Sequence, residues 1–364
     1  MYLHERENWT DFHWDDSAIV PELSDVRNKQ GRLLGRLDLM GFDLQAKAEL
    51  EIRCLDVIKS SAIEGVSLDA SAVRSSIAKR LGLEYGGFNG STHDVDGVVD
   101  MTLDATQNFN DRLTKKRIFG WHAALFPTGY SGMSKIDVGR YRRGEMEVVS
   151  GAIGHEKIHY RAPDPKRVAE EMRMFLAWVN ATTGPDLVIK AAIAHLWFVS
   201  IHPFDDGNGR IARALTDMLL ARSDDSPRRF YSMSSQILAE RKQYYDILES
   251  TQKGTGEITD WIKWFFTCLN GALVSSEKTL EKVIISARFW QRYADAGISE
   301  RQHKVLLKLL EGFEGKLTSS KWARMTKVSQ DTALRDIQEL VTKGILEGGE
   351  AGGRSMSYRL TSFY

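Results

Sequence analysis

The stretch His202-Pro-Phe-Asp-Asp-Gly-Asn-Gly-Arg-Ile-Ala-Arg213 gathers an imidazole, two carboxylates, an amide, two glycines and two guanidinium groups. A histidine has the intrinsic pKa to take a proton from an attacking hydroxyl, so His202 is the candidate general base. Asp206 is a hard oxygen ligand, suited to a Mg2+ that bridges phosphate oxygens. Gly207 and Gly209 let the backbone approach an anion without a Cβ clash, and Asn208 adds a side-chain donor. Arg210 and Arg213 stand one helical turn apart and share a face, so together they can grip a polyphosphate. The combined reading is a nucleotide triphosphate with its metal, beside a general base.

Two helices must position this loop. An apolar run, Leu187 to Ile201, ends just before His202. A second, amphipathic helix begins near Gly209, with Ile211, Leu215, Met218 and Leu219 on its core face. The motif therefore enters a helix N-terminus, where unpaired N–H groups and the positive end of the helix dipole favour an anion. Further helices are expected near 98–109, 114–125, 164–180, 239–252 and 257–285. Upstream, Leu44, Ala48, Ile52, Leu55, Ile58 and Ala62 recur at helical spacing, and Gly65 ends that helix. Residues 139–162 break the helical pattern with a β-branched run, turn glycines and Pro163, as in a hairpin or irregular flap. The Gly-rich segment 86–97 reads as a linker. Near the C-terminus, Ser299 and Gln302 form a capping box. Ser329 caps a helix with Ala333, Ile337, Leu340 and Val341 on one face, and strand-like pieces flank a Gly-rich turn. That order is a winged helix-turn-helix.

The bulk numbers narrow the class. The chain has 364 residues, 42% hydrophobic and 27% charged, with 49 basic and 49 acidic side chains. This is an ordinary globular composition, and the charge balance points to neither nucleic acid nor membrane. Leu187–Ile201 contains Lys190 and His195 and is too short and polar to span a bilayer. The N-terminus lacks the apolar run of a signal peptide. Cys54 and Cys268 fall in apolar helical patterns and read as reduced core thiols of a cytoplasmic protein.

HPFDDGNGRIAR resembles the Fic family signature H-x-F-x-D/E-G-N-G-R-x-x-R at every fixed position. The flap and the segment Tyr244-Tyr245-Asp-Ile-Leu-Glu are similar to that family's target-aligning hairpin and adenine-pocket lining. The resemblance implies a mainly α fold: an N-terminal helical region (1–90), a Fic helical bundle with a β-hairpin flap (91–290) and a C-terminal winged helix (297–364). It implies a protein adenylyltransferase that moves AMP from ATP to a Ser, Thr or Tyr hydroxyl of a target protein or of itself, with Mg2+. In that scheme His202 is the base, Asp206 holds Mg2+ and Phe204 anchors the loop. Gly207, Asn208 and Gly209 form the anion hole for the α-phosphate, and Arg210 and Arg213 bind the outer phosphates. Tyr244 and Tyr245 line the base pocket. Met146 and Val148 lie on the flap that aligns the target. Met146 departs from the smaller aliphatic residue expected there, and Gln252 stands where some relatives have Asn. Homodimers are also expected by the resemblance.

Ser60-Ser-Ala-Ile-Glu64-Gly65 is similar to the family's inhibitory motif, S/T-x-x-x-E-G/N. Ser60 and Glu64 face the same way on one helix. The resemblance implies that Glu64 pairs with Arg213 in place of the γ-phosphate. It also raises a second role, in which Glu64 positions water for AMP removal.

Other readings compete. His155-Glu-Lys-Ile-His159 spells H-E-x-x-H, which on a helix would bind Zn2+ with Glu156 as base. The flanking Gly151, Gly154 and Pro163 argue against that helix. Gly207 to Ala212 fits G-x-G-x-x-A, but no preceding strand or βαβ pattern supports a dinucleotide fold. A DNA-binding regulator with a nucleotide-sensing domain is the third reading. Residues 297–364 carry 11 basic and 8 acidic residues. Asp331, Asp336 and Glu339 beside Arg335 and Lys343 make weak electrostatics for phosphate. His195, Trp197, Phe198, Trp261, Trp264 and Phe265 read as core, and Trp9, Phe12 and Trp14 as pins for the N-terminus.

Overall fold

A computed structural model describes residues 1–83, 92–151, 155, 157–313, 315–349 and 356–362. The chain is mainly helical and divides into two compact units, Met1–Glu277 and Lys278–Tyr364.

The first unit opens with α1 (Asp16–Asp38), α2 (Phe42–Ile63), α3 (Ala70–Arg80), α4 (His93–Gln107) and α5 (Lys115–Leu125). A small hairpin, β1 (Tyr130–Ser131) and β2 (Ser134–Lys135), precedes a larger one, β3 (Glu147–Ser150) and β4 (Lys157–Arg161). Then come α6 (Pro165–Val179), α7 (Leu187–Ile201), α8 (Asn208–Asp224), α9 (Met233–Ala239) and α10 (Arg241–Gln252). α11 (Thr259–Arg292) begins in this unit and ends in the second.

α7 forms the centre of the first unit. All its residues after Leu187 are buried, including Trp197 and Phe198. A helix apolar on every side is what a central element requires. α8 packs along it, burying Ile211, Leu215, Met218 and Leu219. Trp9 pins the N-terminal segment by edge contacts with Phe12 and Trp197 and by donating from Nε1 to Glu171, 3.1 Å away. Trp14 instead donates to Asp16 at the start of α1. Cys54 and Cys268 are buried free thiols. Among the described residues no helix is long and apolar enough to cross a membrane.

α2 matches the helix expected before Gly65. Gly65 has φ +78, a left-handed conformation that costs glycine little. The N–H of Gly65 donates to the Ala62 carbonyl and that of Val66 to the Ser61 carbonyl, both at 3.0 Å. These two hydrogen bonds stop the helix and leave Glu64 as its last cap. α1 and α3 fall inside the helical region expected over 1–90, although the sequence pattern places neither one individually. Residues 86–91 of the expected 86–97 linker lie outside the described residues, and from His93 the chain is α4 instead of linker.

In the flap, β3 and β4 pair antiparallel, Glu147 with Arg161 and Ser150 with Lys157, with a bulge between Val148 and Val149. Residues 152–154 and 156 of the expected flap lie outside the described set.

The second unit holds α12 (Glu300–Gly312), α13 (Ser319–Thr326), α14 (Gln330–Thr342), β5 (Leu346–Gly348) and β6 (Tyr358–Leu360). Its core gathers Phe289, Val305, Leu306, Trp322, Ile337 and Leu340. The Ser299–Gln302 capping box forms. Three helices are followed by an antiparallel hairpin of β5 and β6, and residues 350–355 between its strands lie outside the described residues. Val341, expected on the core face of α14, is 38% exposed, and Asp336 is buried there instead.

α4 and α5 touch backbone to backbone. A Cβ on Gly97 would lie 1.8 Å from the Ala124 carbonyl oxygen. Gly97→Ala gains about 1 kcal/mol of helix propensity but forces two helix backbones apart, which costs about 2–3 kcal/mol or more. Thermal denaturation should show a net loss of stability. A variant as stable as the parent would contradict this close packing.

Candidate active site

His202 closes α7 with φ 50 and ψ 60, a left-handed conformation unusual for a residue with a Cβ. Such a conformation costs about 1–3 kcal/mol and persists only where neighbours hold it. Here its N–H donates to the Phe198 carbonyl at 3.0 Å. Its carbonyl accepts from Arg142 Nε at 2.8 Å. Nδ1 lies 3.1 Å from the Val199 carbonyl, so Nδ1 carries the proton and Nε2 keeps its lone pair. Burial pushes the imidazole pKa down, and the ring is neutral.

The loop after His202 is braced from several sides. Phe204 is fully buried and stacks on His122 with ring centroids 4.2 Å apart. Gly139 N–H donates to His122 Nδ1, so His122 Nε2 carries the proton and donates to the Asp206 carbonyl at 3.2 Å. Burial lowers the His122 pKa to about 4, consistent with this neutral tautomer. Asp205 accepts from the Asp137 N–H at 2.9 Å. Asp206 accepts from Ser131 Oγ and from the Gly207 N–H, and its carboxylate stays 43% exposed.

Gly207 is the N-cap of α8 with φ +80, and no side chain caps the helix. The amides of Asn208, Gly209 and Arg210 in its first turn have no intrahelical acceptor. A Cβ on Gly209 would sit 2.1 Å from Glu64 Oε1. The Glu64 carboxylate therefore rests against that first turn, where its charge favours the helix dipole. Arg213 NH2 lies 2.8 Å from Glu64 Oε1. Arg213 also donates from Nε to Ser60 Oγ and from NH2 to the Ser60 carbonyl, each at 2.9 Å. Arg213 is buried, and its NH1 has no hydrogen-bond partner among the described residues. Arg210 lies over the Phe126 ring, 3.8 Å from Asp206, with its Nε also unpartnered.

The contact between α2 and α8 continues below this pair. Asp56 on α2 and Asp217 on α8 line one small enclosed cavity with Arg53 and Arg229. Burial, and then the neighbouring Asp56 charge, hold the Asp217 pKa well above the usual carboxylate range.

A cleft of about 860 Å³ opens over these groups. Glu64, His202, Asp206, Asn208 and Gly209 form one side. Met146 and Val148 of the flap also line the cleft, as do Tyr244, Tyr245 and Gln252. Phe204, Ser60 and Arg213 sit behind the wall, in the core. The cleft thus joins a neutral imidazole, the start of an uncapped helix and a half-exposed carboxylate, while Gly207, Arg210 and Arg213 are not among its lining residues.

Comparison with known proteins addresses the same region. Residues 112–220 match the Fic/DOC family, and residues 2–83 match a domain of unknown function (DUF4172). Protein adenylyltransferase Fic of Aedes aegypti is 27% identical over 235 residues, covering 62% of this chain and 42% of that protein. The protein of the same name in Drosophila mojavensis is 28% identical over 243 residues, covering 65% and 42%. This chain thus spans about two fifths of the length of the curated relatives it matches. Among solved structures, a Fic family protein from Desulfovibrio desulfuricans shares the fold. Its TM-score is 0.53 at 20% identity, covering 94% of this chain and 96% of that one.

Within the matched residues 112–220, one side chain does not do what its type suggests. Asn208 Oδ1 accepts from the Phe204 N–H at 3.0 Å, and Asn208 Nδ2 donates to the Phe204 carbonyl at 2.8 Å. The amide staples the loop, and the residue offers a ligand its backbone N–H. The H-E-x-x-H reading fails on local structure. His159 is on strand β4, its ring bonded to Ser150 and Glu249, each at 2.5 Å. His155 is not helical, Glu156 lies outside the described residues, and no metal-binding cluster occurs among the described residues. His195 is bonded at both nitrogens, to Thr216 and Tyr244, within the core.

Four contributors escape the sequence reading: His122, Phe126, Ser131 and the role of Arg142. Arg142, open in the sequence between flap and surface, is buried. It donates from NH1 to the Gly144 carbonyl at 2.8 Å and from NH2 to the Pro163 carbonyl at 2.5 Å. It thus ties both feet of the flap to His202. Arg140 remains exposed beside Asp137. Arg142, Ser131 and His122 each lie 60 residues or more before their partners in the loop, so no local spacing reveals them.

Burial lowers the pKa of His4 and His122 to about 4 and of His195 to about 3. The unfolded chain binds protons near pH 6.5 that these folded rings refuse, so stability is lost as pH falls below about 6.5. The loss is roughly 2 kcal/mol per histidine between pH 6.5 and 5. Urea unfolding at pH 7 and pH 5 should show this. Stability that is unchanged or higher at pH 5 would contradict neutral burial.

Proposed function

We propose that the protein transfers AMP from ATP to a hydroxyl side chain of a protein, and that Glu64 restrains this transfer. The observation that carries the proposal is the seat of Glu64. A carboxylate lies against the uncapped first turn of α8 and on Arg213, where an anion belongs, in the cleft that the neutral imidazole of His202 also lines. The names of the Aedes aegypti and Drosophila mojavensis relatives support the same reaction.

The α8 amides of Asn208, Gly209 and Arg210 receive the phosphate that reacts, and Arg210 and Arg213 receive the outer phosphates. Their unpartnered buried N–H groups suit these anions. Asp206, half exposed and already oriented by Ser131 and Gly207, suits a Mg2+ that takes its remaining ligands from phosphate and water. When bound, that ion would neutralise charge on the phosphates. His202 Nε2 takes the proton of the attacking hydroxyl. The hydroxyl oxygen bonds to the α-phosphorus, the bond to the β-phosphate oxygen breaks, and pyrophosphate leaves. Tyr244, Tyr245 and Gln252 flank the base, and Met146 and Val148 present a strand edge to the target. The free, buried cysteines suit a reducing cytoplasm.

The brake follows from charge. With Glu64 on Arg213, a γ-phosphate meets a carboxylate instead of a free guanidinium. A charge-assisted bond of about 1.5–3 kcal/mol corresponds to roughly ten- to hundredfold repression. Glu64→Gly should raise incorporation of labelled AMP by that factor, with a protein mass gain equal to AMP. His202→Ala in the same background should abolish it. Unchanged labelling in Glu64→Gly would remove the brake from the account. Labelling that survives His202→Ala would remove the proposed base. Incubating labelled protein without ATP tests whether Glu64 also supports AMP removal.

A further inference from the structure

We propose that the Lys278–Tyr364 unit binds duplex DNA, with α14 lying in the major groove. α13 and α14 are joined by the short turn 327–329, in which Lys327 has φ 55. Ser329 caps α14 through the Thr332 N–H. This is helix-turn-helix geometry, which lays its second helix along base edges.

One face of α14 is committed to the core through Ala333, Asp336, Ile337 and Leu340. The opposite face is exposed and carries Asp331, Leu334, Arg335 and Gln338. The Arg335 and Gln338 side chains are one turn apart and make no hydrogen bond or ion pair among the described residues. A guanidinium pairs with guanine and an amide with adenine, while Leu334 suits a thymine methyl.

The folded charge distribution differs from the sequence balance. Three acids are consumed inside the unit. Asp336 is buried and accepts from Arg301 and from Trp322 Nε1. Glu339 accepts from Gln302 at 3.0 Å and Lys343 at 2.5 Å. Glu347 pairs with Arg359 at 2.7 Å. Among the described side chains of 297–362, Lys304, Lys308, Lys316, Arg324, Lys327 and Arg335 have no ion-pair partner. Among the same side chains, only Glu300 and Asp331 oppose them. The acids that make α14 look unsuited to phosphate mostly face α12 or the core. Arg324 and Lys327 lie at the end of α13 and in the turn, immediately before the reading helix. Over the whole of 297–364 the balance is 11 basic to 8 acidic residues, and this net positive charge favours a polyanion over a protein partner.

The full chain is tested by fluorescence anisotropy with a pool of random-sequence 30-base-pair duplexes across salt, followed by rounds of sequence selection. The expected result is affinity that weakens linearly with log salt. Arg324→Ala with Lys327→Ala should lower the slope by about 0.9 for each phosphate no longer neutralised. Arg335→Ala should abolish sequence enrichment. Lys29→Ala, which removes one exposed charge from α1, should change neither readout. These exposed positions leave the core intact, and unchanged thermal unfolding verifies that. No binding in 50 mM salt, a slope unaltered by the Arg324 and Lys327 changes, or enrichment that survives Arg335→Ala would overturn the proposal. So would capture of a protein through Leu334 without salt-dependent DNA affinity.

Discussion

The Glu64–Arg213 ion pair is the contact on which the site depends. It joins the C-cap of α2 to the first turns of α8, and each partner is fixed by its own helix. Gly65 stops α2 so that Glu64 is the terminal cap. Arg213 is buried and held by Ser60 through two further bonds. Ser60 and Glu64 are one α-helical repeat apart on α2, and Asp56 is one repeat below. Arg213 and Asp217 repeat in the same way on α8. The two helices therefore meet along a polar stripe, with a carboxylate on a guanidinium at one end. At the other end are two buried carboxyls, Asp56 and Asp217. A buried charge without a partner costs far more than the pair gains. Removing Glu64 leaves Arg213 in need of another anion, and the cleft is the side from which one arrives.

The rest of the site is preorganised by groups that touch no ligand. His202 sits in an unfavourable backbone conformation because α7 ends there and Arg142 grips its carbonyl. The same arginine holds both ends of the flap, so the imidazole and the flap share one anchor. Neutral, buried histidines recur around this frame. His122 stacks on Phe204 and fixes the Asp206 carbonyl, and His195 orients Tyr244. In each case burial removes the charge and leaves a rigid donor and acceptor, which is what a scaffold for phosphate chemistry needs.

What can be read in the sequence is local. The motif from His202 to Arg213 is one loop and the start of one helix, so spacing alone groups its chemistry. Gly65 as a helix stop, and the burial of α7, follow from patterns within a single element. The misses share a different cause. Arg142, His122 and Ser131 act on the loop from distant elements, and only the fold brings them there. Asn208 reads as a ligand donor by its type, but a nearer demand, pairing the Phe204 backbone, takes its side chain. On α14 the sequence sets acids beside bases. The fold decides which of them face solvent.

The measurement closest to the central claim is a pair of crystal structures with Mg2+ and a non-hydrolysable ATP analogue, one of the parent chain and one of Glu64→Gly. The account predicts that the γ-phosphate occupies Arg213 only in the variant, with the α-phosphate at the start of α8 beside His202. In the parent, Glu64 should keep Arg213 and the triphosphate should lie differently. An identical triphosphate pose in both crystals, or a variant in which Arg213 remains without phosphate, would contradict it.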